Sequence, residues 1–361
     1  MISHRSFVGL DVHARSISAC VIDERTGEVV QRRFGGATSE VVEWVAGLPG
    51  PTRAVYEAGP TGFGLYRQLV ASGIESVVAA PSKLQRPTGD RVKTDARDAL
   101  HLARLLRLDE VVAVRVPSIE EETARDLVRA REDVRQSLMT ARHRLSKLLL
   151  RHGFVYDEGG GWTSRHDAWL RRHRDGTRAY TLAFDAAYET VAQAQARRDR
   201  LDEAIEQMAR ESEFTPVVDR LGCLRGISSL TGLALAVEIA DWHRFTGSTI
   251  GAYLGLVPSE YSSGQSRTLG RITKTGNSHA RRLLVEAAWQ HRREWRPGAH
   301  TVVQERAERA SAAVRVRGQA GNERLHRQWV RFTARKKKPV IANIAIAREL
   351  AGWCWSLAVM D

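Results

Sequence analysis

Read as apolar and polar positions, residues 7–12 (FVGLDV) form an apolar run broken by one carboxylate, Asp11. Such a run suits a strand buried on both faces. Residues 16–23 and 28–34 repeat the strand signal around the turn Glu24-Arg25-Thr26-Gly27, so a three-stranded meander is predicted. Ser39 is expected to cap a short helix over Val41, Val42, Trp44 and Val45, and residues 53–57 make a fourth strand. A helix at 62–72, stopped by Gly73, leads to a fifth strand at 76–80 that Pro81 ends. Another helix follows at about 95–106.

Three strands, helix, strand, helix, strand, helix is the element order of the ribonuclease H-like fold, a mixed sheet flanked by helices. We assign it residues 1–112. The pattern then changes. Ser118-Ile119-Glu120-Glu121 is a capping box, and neither Pro nor Gly follows until Gly153. Leu127, Val134, Leu138, Leu145, Leu148 and Leu149 recur at helical spacing, which predicts one long amphipathic helix with an Arg-rich outer face. After Gly159-Gly160-Gly161 a second long helix is expected at about 178–211. The pair reads equally as a coiled-coil hairpin, an oligomerisation arm, or as part of a helical bundle, and spans residues 113–213. Residues 214–361 form a mainly helical C-terminal region, so the fold class is α/β plus α. Its segment from Leu224 to Ile239, with Gly226 in the turn, reads as a helix-hairpin-helix whose turn offers backbone N–H groups to a phosphate. A polar loop from Pro258 and a helix at about 277–293 follow.

Composition narrows the partners. Among 361 residues, 55 Lys and Arg face 42 Asp and Glu, a net charge of +13, so a polyanion is the natural partner and nucleic acid the first choice. Cys20, Cys223 and Cys354 lie far apart without a CxxC pair, which encodes neither a disulfide framework nor a zinc site and fits a cytoplasmic setting. No signal peptide is expected. Residues 340–360 are apolar but carry Asn343, Arg348 and Glu349, so they read as a core helix rather than a membrane span.

A buried carboxylate needs a cation, a proton or a partner, and three further acids can meet Asp11. Glu57 ends the fourth strand beside it. Asp95 and Asp98, three apart at a helix start, share a face. Four acids converging suit Mg²⁺, with Mn²⁺ as the other option, acting on a phosphodiester. Separately, each acid is explained as a cap or an ion-pair partner; four together are not. An actin-like ATPase opens similarly, but its phosphate turn needs a small residue where His13 stands.

The second candidate lies in Pro258-Ser259-Glu260-Tyr261-Ser262-Ser263-Gly264-Gln265-Ser266-Arg267, where a serine beside a flexible Gly can be a nucleophile or can bind phosphate. Arg271, Lys274 and Asn277, then Arg281, Arg282 and Arg292, and earlier Arg225, are candidate phosphate-holding residues, as is Arg267 itself. Arg335-Lys336-Lys337-Lys338 is a further basic cluster, equally readable as a solvated run.

In order, Val8-Gly9-Leu10-Asp11, Tyr56-Glu57-Ala58, Lys93-Thr94-Asp95-Ala96-Arg97-Asp98, Tyr261-Ser262-Ser263-Gly264 and the block from Gly270 to Asn277 (GRITKTGN) resemble the DEDD-type insertion-sequence transposases related to the Piv DNA invertase. The likeness runs from residue 6 to about 355. It implies a RuvC-like N-terminal domain whose acids Asp11, Glu57, Asp95 and Asp98 bind Mg²⁺, a coiled-coil arm and a C-terminal transposase domain. It also implies a serine, Ser263 on the SSG motif with Ser262 as second choice, that links covalently to DNA. The partners implied are donor and target DNA, a noncoding bridge RNA and further copies of the chain as a dimer or tetramer, acting at the bacterial nucleoid. A RuvC-like junction nuclease that uses water, with the serine segment only holding phosphate, is the alternative.

Overall fold

Strand β1 (Ser6–Val12) is buried along its first five residues, as a central strand must be. The structure, a computed structural model, describes residues 5–84, 94–264, 266–296 and 307–360, with the side chain of Arg267 outside that description. Lys93 of the KTDARDA block and Gln265 also lie outside the described residues. The chain forms two compact units, Met1–Pro117 and Ser118–Asp361.

In the first unit β1 pairs antiparallel with β2 (Ser16–Asp23), which pairs antiparallel with β3 (Val29–Gly35). Strands β4 (Thr52–Glu57) and β5 (Glu75–Ala79) extend the sheet in parallel, giving the order β3-β2-β1-β4-β5. This mixed sheet is compatible with the RuvC-like expectation. Alternation along β1 sends Val8 and Leu10 to one face, where they pack with Val41 and Val45 of α1 (Thr38–Ala46) and Leu65 and Leu69 of α2 (Gly64–Ala71). Phe7 takes the other face, against Leu102 and Leu106 of α3 (Asp95–Arg107). Gly9 and Asp11 share the Phe7 parity. So does Glu57 with Val55 on β4, which joins the same core.

The closeness of α3 to β1 depends on Gly9. A Cβ there would sit 2.1 Å from the Ala99 carbonyl oxygen and 2.5 Å from the Ala103 nitrogen. No rotamer relieves a clash with backbone, so Gly9→Ala is expected to cost about 1–3 kcal/mol or more, read as a lower urea midpoint at an unchanged slope. Thr94 starts the helix by accepting a hydrogen bond from the Arg97 N–H, which fixes Asp95 and Asp98 in the first turn. Ser39 plays no such role. Helix α1 begins at Thr38 after an Ala37 cap position without a side-chain bond.

In the second unit the capping box of Ser118 and Glu121 opens α4 (Ile119–Arg151). It packs antiparallel to α6 (Arg178–Arg210), with Arg131 on Asp202 near one end and Arg142 on Gln195 farther along. The insert between them is more than a Gly-rich break. It holds α5 (Ser164–Arg172), whose Trp169 joins Tyr180 and Phe184 in an aromatic cluster. At the opposite end Val128 and Ile205 share a core with Val218 of α7 (Thr215–Gly222) and Leu233 and Val237 of α8 (Ser229–Ile239). The long helices and the C-terminal region are thus parts of one unit.

Beyond a short α9 (Ile250–Tyr253), the expected polar loop is an antiparallel hairpin of β6 (Pro258–Ser263) and β7 (Ser266–Ile272). Strand alternation there carries almost no apolar signal, because the hairpin is exposed on both faces. Helix α10 (Ser278–Ala288) ends earlier than expected, and Trp289–Arg292 is a 3₁₀ turn. Helices α11 (Ala312–Ala334) and α12 (Pro339–Ala358) complete the core. The apolar α12 buries Ile346, Leu350, Cys354 and Leu357 as a core helix should, and among the described residues no helix is long and apolar enough to cross a membrane.

Candidate functional site

Asp11 stands next to the end of β1, where the sheet opens into a cavity of about 650 Å³ lined also by His13, Glu57 and Asp98. Its side chain is only 17% exposed. His13 Nε2 lies 3.2 Å from Asp11 Oδ2 and 3.8 Å from Asp95 Oδ1, and one donor atom from each of these three residues falls within 4.8 Å of the others. Burial pushes the Asp11 carboxyl above its ordinary value; His13 pulls it back, and the charges of Asp95 and Asp98 push it up again. All four expected acids therefore belong to one locality. Crowded carboxylates of this kind fit a hard divalent cation, which would relieve their mutual repulsion.

The serines occupy a different kind of place. Ser263 pairs with Ser266 and is the last residue of β6, exposed and followed by Gly264 at a positive φ of 53°. Among the described residues its hydroxyl has no hydrogen-bond partner, whereas Ser262 Oγ donates to Glu260 Oε1 at 2.7 Å. Nearby Tyr261 is 77% exposed.

Of the expected phosphate-holding residues, Arg271, Lys274 and Arg292 are exposed and have no ion-pair partner among the described residues. Four others make hydrogen bonds or ion pairs within the chain. Arg225 is buried, and its guanidinium donates to the carbonyl oxygens of Gln290, Arg293 and Glu294. Arg281 donates to the carbonyls of Leu254 and Thr275, and Arg282 pairs with Glu132 and Glu286. Asn277 caps α10 by accepting from the Ala280 N–H. Helices α7 and α8 flank the turn at Gly226, where the Arg225 N–H donates to Asn322 and the Ile227 N–H to the Leu224 carbonyl.

Asn277 also belongs to a buried network that sequence inspection missed. Glu238, with its side chain fully buried, accepts two hydrogen bonds at 2.9 Å from Arg129 and one at 2.6 Å from Asn277, and lies 3.1 Å from His279 Nδ1. These contacts tie α4, α8 and the start of α10 together. Burial raises the Glu238 carboxyl, but the bonds from His279, Arg129 and Asn277 outweigh it and bring it down to about 2, against an ordinary 4.5. A lowered folded value means stability present in full above about 4.5 and lost as pH falls toward 2. Glu238→Ala is expected to cost about 2–3 kcal/mol at pH 7, at the low end for a broken buried pair because Arg129 reaches solvent, and the thermal midpoint drops by roughly 5–10 °C. The gap between wild type and variant in urea unfolding shrinks between pH 5 and pH 3.

Comparison with known proteins adds to this geometry. Residues 8–154 match a transposase family of the DEDD, IS110 type, and residues 218–304 match the family described as Transposase IS116/IS110/IS902. The chain is 38% identical to y4qE of Sinorhizobium fredii, whose name places it among transposases, over 98% of this chain and 88% of that protein. It is 28% identical to the transposase for insertion sequence element IS1533 of Leptospira borgpetersenii, over 92% of this chain and 98% of that one. With the transposase for IS1111A of Coxiella burnetii it shares 24% identity over 78% of this chain and 76% of that protein.

Proposed function

This chain belongs to the IS116/IS110/IS902 transposase family, whose members cut and rejoin DNA with divalent metal, and we propose that it does so as an RNA-guided recombinase with a serine nucleophile. What carries the metal-dependent part of the proposal is the convergence of Asp11, Glu57, Asp95 and Asp98 on one end of the sheet. When bound there, Mg²⁺ or Mn²⁺ supplies positive charge to the phosphodiester under attack. The four acids hold that charge in place. Ser263 supplies the nucleophile: its Oγ forms a bond to phosphorus as the bond from phosphorus to the leaving sugar oxygen breaks. The serine proton passes to solvent and the leaving oxygen takes one up. The phosphoserine link conserves the bond for rejoining without ATP.

Arg271, Lys274 and Arg292 are free to hold backbone phosphates of donor and target DNA. Their positions and the net charge of +13 suit nucleic acid of either kind. A bridge RNA that pairs with both DNAs follows from the likeness to the Piv-related enzymes, and base pairing would then set the target. Exchange requires several strands cut together and one serine cuts one, so a dimer or tetramer is the working form, with the long helices as its arm. Its place of work is the cytoplasm, on the nucleoid. Ser262 is the second reading for the nucleophile, because Glu260 stands 2.7 Å from its hydroxyl, within reach to take its proton.

Reconstitution tests the proposal. Purified chain, donor and target DNA, and RNA transcribed from the element's flank are expected to give joined product only when RNA and Mg²⁺ are both present. Equal joining without RNA would overturn the guide, and joining in excess EDTA would overturn the metal site.

A further inference from the structure

We infer that His13 is a nitrogen ligand of the acid site and that it turns the site's preference from Mg²⁺ toward Mn²⁺. The inference rests on the four-acid metal site proposed above and adds a residue that the DEDD pattern does not contain. Three observations place it there. His13 directly follows β1, its backbone N–H donates to the Ser16 carbonyl at 2.9 Å and holds the turn that carries it, and its ring stands beside Asp11.

The spacing of the donors is the second observation. Metal–donor distances near 2.1 Å put adjacent donors of an octahedron roughly 3.0 Å apart and opposite ones about 4.2 Å apart. The His13 nitrogen lies 3.2 Å from Asp11 Oδ2 and 3.8 Å from Asp95 Oδ1, separations that one coordination sphere can span. Third, the imidazole is open to an arriving ion: its side chain is 57% exposed, and among the described residues its ring's hydrogen-bond and ion-pair partners are these two carboxylates.

The consequence follows from ligand chemistry. Carboxylates alone accept Mg²⁺ and Mn²⁺ alike, and Mg²⁺ prefers oxygen donors and its own waters. An imidazole nitrogen adds affinity for a first-row transition ion and little for Mg²⁺. A histidine that merely orients Asp11 through a hydrogen bond would leave the ion with oxygen ligands only. The two roles differ spectroscopically.

Pulsed electron paramagnetic resonance of the full chain loaded with one equivalent of Mn²⁺ separates them. We expect ¹⁴N coupling of a directly bound imidazole in the wild type and its loss in His13→Gln. In a competition titration read by the free Mn²⁺ signal, the Mn²⁺-over-Mg²⁺ preference of His13→Gln falls roughly tenfold. Bound Mn²⁺ without ¹⁴N coupling in the wild type overturns the inference, whatever the variant's folding. So does coupling that survives in His13→Gln. Asp11→Asn separates the two levels: if it releases Mn²⁺ while the wild type shows no ¹⁴N coupling, the acid site stands and His13 alone is excluded. If Asp11→Asn leaves Mn²⁺ bound as before, the acid site fails and the inference with it.

Discussion

Asp11→Asn is expected to lower DNA strand cleavage by about 10³-fold or more while the chain stays folded and still binds DNA. The substitution keeps the shape of the side chain and removes one negative charge. That charge sits where burial and the neighbouring Asp95 and Asp98 already disfavour it, so without a cation the folded protein gains rather than loses by its removal. DNA affinity rests on phosphate contacts from basic residues, which the change does not touch. Cleavage of labelled donor DNA, gel-shift affinity and thermal unfolding, measured side by side, check all three parts. An unfolded variant would instead mark Asp11 as structural, and unchanged cleavage would remove it from the site.

The second large effect is on the serine. Ser263→Ala is expected to reduce strand exchange by about 10⁴-fold or more, as loss of a nucleophile does. Ser263 is the exposed last residue of β6, and no core contact depends on its hydroxyl, so stability should not move. Ser262→Ala removes the bond to Glu260, and exchange is expected to persist at a reduced rate. The reverse pattern, loss with Ser262→Ala alone, would assign the nucleophile to the Glu260-bonded serine.

The sheet and its acids were legible in the sequence because one physical rule governs both. A strand buried on both faces tolerates a carboxylate only with a purpose, and period-two alternation then fixes which face it takes. Asp11 with Gly9, and Glu57 with Val55, follow that rule, and the cap at Thr94 places Asp95 and Asp98 in the first turn of α3. The long helices were legible from the capping box at Ser118 and the leucine spacing.

What escaped the sequence did so for equally physical reasons. The β6–β7 hairpin buries neither face, so polar residues run through it without the alternation that marks a strand. Arg225 counts as a cation by composition, yet it lies in the apolar stretch Leu221 to Leu230. That context, rather than its charge, goes with a buried guanidinium whose terminal nitrogens donate to carbonyls. Arg282 and Glu132 are 150 residues apart, and no local pattern announces such a pair. Glu238 stood in an otherwise apolar helix, the same signal as Asp11, and its partners come from α4 and the start of α10 rather than from its own neighbourhood. His13 was visible from the start, but as a misfit for a phosphate turn instead of as a donor beside Asp11.

The most direct test of a metal-dependent serine recombinase is a covalent trap. The chain, its flanking RNA, Mg²⁺ and labelled donor and target DNA are mixed, denatured and separated on a denaturing gel beside Asp11→Asn, Ser262→Ala and Ser263→Ala. A protein–DNA band that survives denaturation, persists in Ser262→Ala, and vanishes with Asp11→Asn and Ser263→Ala is the predicted result. Free cut ends in all lanes except Asp11→Asn, with no such band in any, would contradict it and leave a nuclease in which water attacks and the hairpin serines only hold phosphate.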